Sequence, residues 1–84
     1  MEGKSVIKRV FVTNRALDQF RRFDPHARAG PLAENLKGAE LTHDGRRRAW
    51  VLTRGYAVFV FRRRGGPSGG GVGCYVLVAV ELDR

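Results

Sequence analysis

The chain has 84 residues, with sixteen Lys and Arg against eight Asp and Glu, for a formal net charge of +8. That length fits one domain with an efficient core. An apolar fraction of 43% excludes a disordered tail, and no hydrophobic run is long enough to span a bilayer.

Met1 to Ser5 is polar and expected to fray. Val6 to Thr13 is rich in β-branched residues and alternates loosely, which predicts a strand. Thr13 or Asn14 can cap the helix that follows. From Ala16 to Phe23 the apolar residues Ala16, Leu17, Phe20 and Phe23 share one helical stripe, a core face. Asp24-Pro25 predicts a helix restart, with Asp at the N-cap and Pro at the first helical position. Gly30-Pro31 is expected to interrupt that helix, and a further turn runs from Pro31 to Lys37. Leu32 and Leu36 form its inner face, and Gly38 is placed to end it.

The second half reads as β. Ala39 to Thr42 is a short extended segment, and His43-Asp44-Gly45 carries turn chemistry. Arg47 to Thr53 and Tyr56 to Arg62 form a hairpin around the turn Arg54-Gly55. Residues 64–73 make a flexible glycine-rich loop. That loop lacks both the spacing and the strand-loop-helix setting of a phosphate-binding loop. Cys74 to Leu82 is a continuously apolar strand, expected to be central and covered on both faces. The fold class is α+β: residues 1–84 form a single β-α-α-β-β-β domain. Its small antiparallel sheet carries one or two helices on one face.

Thirteen of the sixteen cations are arginine, whose planar fork suits bidentate phosphate binding. Six of them form two triplets, Arg46-Arg47-Arg48 and Arg62-Arg63-Arg64, at the open end of the predicted hairpin. Its register places Trp50 opposite Phe59, Arg47 opposite Arg62 and Arg46 opposite Arg63. Like charges directly opposite are destabilising. Such arginines either splay into water or hold a phosphate-bearing or acidic partner, and all six are candidate nucleic-acid contacts. Cys74, the lone cysteine, excludes an internal disulfide or a Cys-rich zinc site and reads as a buried structural thiol. His26 and His43 lack partners at ligand spacing and read as solvent-facing loop residues. No metal or cofactor is expected. With no leader or membrane span, a cytoplasmic location is expected.

Phe11-Val12-Thr13-Asn14-Arg15-Ala16-Leu17, Leu36-Lys37-Gly38, Arg48-Ala49-Trp50-Val51-Leu52, Gly55-Tyr56-Ala57-Val58-Phe59-Val60-Phe61 and Tyr75-Val76-Leu77-Val78-Ala79-Val80 resemble, in this order, successive segments of the RelE/ParE toxin superfamily. The resemblance runs from Val6 to Arg84. It implies a type II toxin of a toxin-antitoxin pair, neutralised by an acidic antitoxin partner. RelE-like members cleave mRNA on the ribosome through a basic cluster, whereas ParE-like members poison DNA gyrase. Arg48 and Arg84 match basic positions of the RelE-like site. Ala57 stands where the family carries the arginine that stabilises transition-state charge, and no tail tyrosine follows Arg84. The resemblance therefore implies at most a weak, metal-independent, ribosome-dependent endoribonuclease that engages RNA through the arginine-rich hairpin. The alternative is a non-enzymatic basic module that binds nucleic acid or a protein target such as a topoisomerase, or a phage or host regulator.

Overall fold

The segment that reads as one N-terminal strand is broken at Ile7-Lys8, and that break organises the sheet. The computed structural model describes residues 4–64 and 73–82. In it, β1 (Lys4–Val6) and β2 (Arg9–Val12) precede α1 (Asn14–Phe20) and α2 (Ala29–Leu36). Then follow β3 (Glu40–Asp44), β4 (Ala49–Arg54), β5 (Ala57–Arg63) and β6 (Cys74–Leu82). All six strands form one sheet in the order β1-β3-β4-β5-β6-β2. The β2/β6 pair is parallel and the other pairs are antiparallel. The α+β class holds, but the sheet is mixed rather than antiparallel.

The two edge strands are consecutive in sequence. Laid flat, six strands about 4.8 Å apart would separate the edges by about 24 Å. Val6 and Arg9 are three residues apart, a reach of about 11 Å. The sheet therefore curls until its edges nearly meet. On one side Ile7 donates to Ala39 O (2.9 Å) and accepts from Gly38 N (2.8 Å); on the other, Lys8 and Arg9 donate to Gly73 O at 2.8 and 3.0 Å. Gly73 is suited to this junction: its φ is +80°, and a Cβ there would lie 2.7 Å from Lys8 Cγ.

Thr13 caps α1 and ties it to the sheet. Its Oγ1 accepts from Ala16 N (3.1 Å) and donates to Leu77 O (2.8 Å). Gln19 then accepts the Val80 N–H at 2.8 Å, which fixes α1 against β6. Helix α1 ends at Phe20 rather than Phe23. Asp24-Pro25 starts no helix, because Asp24 Oδ1 instead accepts the His26 N–H (3.2 Å) and closes a local turn. Helix α2 begins at Ala29 and carries Pro31 within its first turn. There the missing N–H would have no helical acceptor, so the proline does not interrupt. Leu32 and Leu36 are buried, and Gly38 follows the Lys37 C-cap with φ +85°.

The β4–β5 hairpin turns at Gly55-Tyr56, one residue later than expected: Arg54 pairs with Ala57, Leu52 with Phe59, and Trp50 with Phe61. Gly55 takes φ +57° while Tyr56 stays negative, the pattern of a type II′ turn with glycine at its first central position. The two-residue change of register preserves facing. Trp50, Phe59 and Leu77 therefore join Leu17 and Phe20 in the helix-covered core, as expected. Phe20 and Phe59 lie 5.6 Å apart. A bulge sets Val78 and Ala79 opposite Val60, so Leu77 and Val80 both reach that core.

The face without helices holds a second cluster, Ala49, Val58 and Val60, flanked by Val51, Val78 and Ala79. Strand β6 is thus central, but among the described residues helices cover only one of its faces. Phe59→Ala should cost about 3–5 kcal/mol by emptying the space against Phe20. A denaturant titration close to that of the parent chain would contradict this packing.

Candidate nucleic-acid interface

The first arginine triplet lies in the β3–β4 turn, Gly45 to Arg48, between the paired residues Asp44 and Ala49. Asp44 builds this turn. Its Oδ1 accepts the N–H groups of Arg46 (2.9 Å) and Arg47 (3.4 Å), and its Oδ2 accepts Arg47 Nη1 at 2.6 Å. Arg47 also donates to Glu81 Oε1 from Nη2 (2.9 Å) and Nε (3.3 Å). The Arg47 side-chain bond, then the Arg46 N–H, hold the Asp44 carboxyl below the ordinary carboxylate range. Glu81, then Asp44, push the Arg47 guanidinium further up. Arg48 completes the turn with φ +53°. Two carboxylates occupy Arg47, so it acts as a strut.

The expected stacking of arginine on arginine does not occur. Arg62 pairs with Val76 and Arg63 with Tyr75, and the β4–β5 ladder begins at Trp50–Phe61. The later turn moved the register by two residues, and the first triplet left the strand. Alternation then divides the second triplet. Arg63 points to the inner face, its guanidinium 5.5 Å from the Trp50 ring centroid. His43 meets the same ring edge-on at 5.2 Å and Tyr75 at 6.2 Å. Buried Tyr75 donates its hydroxyl hydrogen to Ser5 across the curl. His43 is therefore a strand residue against an aromatic ring, not a loop histidine.

Arg62 and Arg64 take the other face, where the register gives them new neighbours. Arg62 pairs with Val76, and Val76 with Phe11; Arg64 N donates to Cys74 O (2.9 Å), and Cys74 pairs with Arg9. Arg62, Arg64, Arg9 and Phe11 thus flank a short stretch of β6 on the face without helices. Arg62 and Arg64 stand about 6.8 Å apart along the chain, and the flanking strands lie about 9.6 Å apart. Phe11 is 57% exposed on the face that carries these three arginines, which leaves its ring open to stacking. A cavity of about 260 Å³ opens here, bounded by Arg9, Phe11, Arg64 and Cys74. Cys74 is half-buried rather than enclosed, because Tyr75 takes the inner position.

Sequence reasoning missed Arg9 and Phe11. Their only signal was a shared parity in the first strand, and the parallel β2/β6 pairing that makes it meaningful leaves no local trace. Arg84 and residues 65–72 of the glycine-rich loop lie outside the described residues. Among the described residues, no three His, Cys, Asp or Glu side chains gather as a metal site. No helix among them is long and apolar enough to cross a membrane. Comparison with family models, curated proteins and solved structures gives no match.

The Asp44–Arg47–Glu81 strut predicts an acid-sensitive contribution to stability. A carboxyl whose folded pKa is depressed stabilises the fold above its unfolded pKa, about 3.9 for Asp. It loses that contribution as pH falls through the lower folded value. Asp44→Asn should therefore be less stable than the parent at neutral pH, and the two stability curves should converge in acid. Parallel curves from pH 7 to pH 2 would remove Asp44 from this role.

Proposed function

We propose that this protein is a RelE/ParE-like domain that engages RNA, on or off the ribosome, through the sheet face opposite its helices. The observation carrying this reading is the placement of Arg62 on β5 and Arg64 just after it, and of Arg9 and exposed Phe11 on β2, on one face of the two strands that flank β6. Guanidinium groups bind phosphates, an aromatic face stacks on an unpaired base, and together they suit a single strand better than a duplex. After the split first strand come two helices and four strands, one strand (β3) more than the three consecutive strands of the resemblance, an order compatible with a coarse α+β class.

Catalysis is a separate question. Ala57, at the position of the family's transition-state arginine, is buried on the helix-covered face. Losing one such charge-stabilising group costs on the order of 10²–10³ in rate. This favours a binder with at most weak cleavage, and an acidic antitoxin would meet the same cationic face.

RNA affinity should fall with salt at a slope of about −0.7 per phosphate contacted. Substituting Arg9, Arg62 and Arg64 together by alanine should reduce the slope by about two units, while Arg47→Ala should leave it unchanged. A slope unaltered in the triple variant would refute this interface. In primer extension on translating ribosomes, we expect little mRNA cleavage by the parent chain. Strong A-site cleavage would overturn the binder assignment, and its loss in Arg48→Ala would place Arg48 in the reaction.

A further inference from the structure

A larger cleft lies on the opposite face, where α1 and α2 meet the β4–β5 hairpin. Its volume is about 430 Å³. That is within the range of small-molecule sites, roughly 300–1,000 Å³. Phe20, Leu32, Ala57 and Phe59 form an apolar floor, continuous with the core. The small Ala57 side chain leaves this floor open beside the turn.

The mouth is polar and charged. Arg28, Arg54, Asp24 and Tyr56 line the cleft together with this floor. Arg54 Nη1 donates to Asn35 Oδ1, which orients its fork while leaving its other N–H donors uncommitted to that bond. Asp24 Oδ1 is engaged by the His26 N–H. Two guanidinium groups against one carboxylate leave a net charge of +1 at the mouth. A single carboxylate neutralises it, whereas a phosphate dianion would leave an excess beside Asp24. The planar fork of arginine matches a carboxylate bidentately. Tyr56, 77% exposed at the hairpin tip, can close over a bound ring.

We propose that this cleft binds a small apolar monocarboxylate, its hydrocarbon body on the Phe20–Phe59 floor and its carboxylate between Arg54 and Arg28. The site is independent of the RNA reading. Arg62 lies five residues along β5 from Ala57, about 17 Å away, and on the other face.

The probes are 2-naphthoate, the uncharged 2-naphthamide and 2-naphthyl phosphate, titrated into the whole chain and followed by backbone amide NMR and calorimetry. Naphthoate should saturate with Kd of about 1 mM or tighter, shifting the amides of Leu32 and Ala57. Naphthamide should bind at least about tenfold more weakly. Arg54→Gln should weaken naphthoate about tenfold and leave naphthamide unchanged. Ala57→Leu, which fills the floor, should weaken both; Arg54→Gln keeps the test decisive if that variant fails to fold. Equal affinity for acid and amide, or indifference to Arg54→Gln, would overturn the proposal. Tighter binding of the phosphate ester would overturn the monoanion assignment. A dimer that dissociates on adding naphthoate would show a second copy in the cleft and would equally overturn it. The salt dependence of RNA binding should be unchanged in Arg54→Gln, so this test and that of the RNA face fail separately.

Discussion

The N-terminal strand changes partners within two residues, bonding to the start of β3 through Ile7 and to Gly73 beside β6 through Lys8 and Arg9. Everything else in the molecule has to accommodate that exchange. A flat sheet cannot meet it, so the sheet curls, and curling gives an 84-residue chain an enclosed interior that its length alone would not provide. Tyr75 on β6 reaches Ser5 on β1 only because the two ends of the strand order face each other across that interior. The same exchange lays β2 parallel to β6 and delivers Arg9 and Phe11 to the neighbourhood of Arg62 and Arg64. Core and candidate interface therefore depend on one junction, and Gly73 is the residue whose backbone permits it.

The excess of arginine does not act as one field. Strand alternation and turn placement send four of the six clustered guanidinium groups, those of Arg47, Arg62, Arg63 and Arg64, to different surroundings. Arg47 is bound to carboxylates on β3 and β6, so it spans β4 and β5 over the face where Ala49, Val58 and Val60 lie. Its aliphatic stem is suited to shield that cluster while its head stays charged. Arg63 lies against Trp50 on the inner face. Arg62 and Arg64 remain on the outer face, where Phe11 gives them an aromatic neighbour. Identical residues adjacent in sequence thus become a strut, a ring contact and an outward-facing pair beside Phe11.

Much of this was legible because it is local. The helical stripe through Leu17 and Phe20, the Leu32–Leu36 pair, the Gly38 stop and the facing of Trp50, Phe59 and Leu77 all follow from periodicity, which reports burial directly. The hairpin register was wrong by two residues and still gave the right facing, since a two-residue slip preserves parity. What escaped was non-local. A strand that changes partners at Ile7-Lys8 has the same composition as one that does not. Asp24-Pro25 is compatible with a helix cap and with an Asx turn; the chain forms the turn, and Arg21 Nε donates to the carbonyl of buried Ala27 just beyond it. Arg47 and Arg48 read as the start of a strand because His43-Asp44-Gly45 carries turn chemistry of its own. The Asp44 carboxylate selects the later turn by capping the N–H groups of Arg46 and Arg47.

The site carried over by family resemblance and the site assembled by the fold are chemically different. The resemblance concerns position 57, and there the chain places a methyl group facing the helices. Its cross-strand partner is Arg54, which shares that face. A cation therefore persists within one strand spacing of the implied arginine, but on a side chain that rises from the neighbouring strand and is tied to Asn35 on α2. From there it lines a cleft with an apolar floor. Arg62 and Arg64 lie instead on the opposite face, at the far end of β5. A single substitution at position 57 would not rebuild the arrangement that the resemblance implies, because Ala57 and the group Arg9, Arg62 and Arg64 lie on different faces of one sheet.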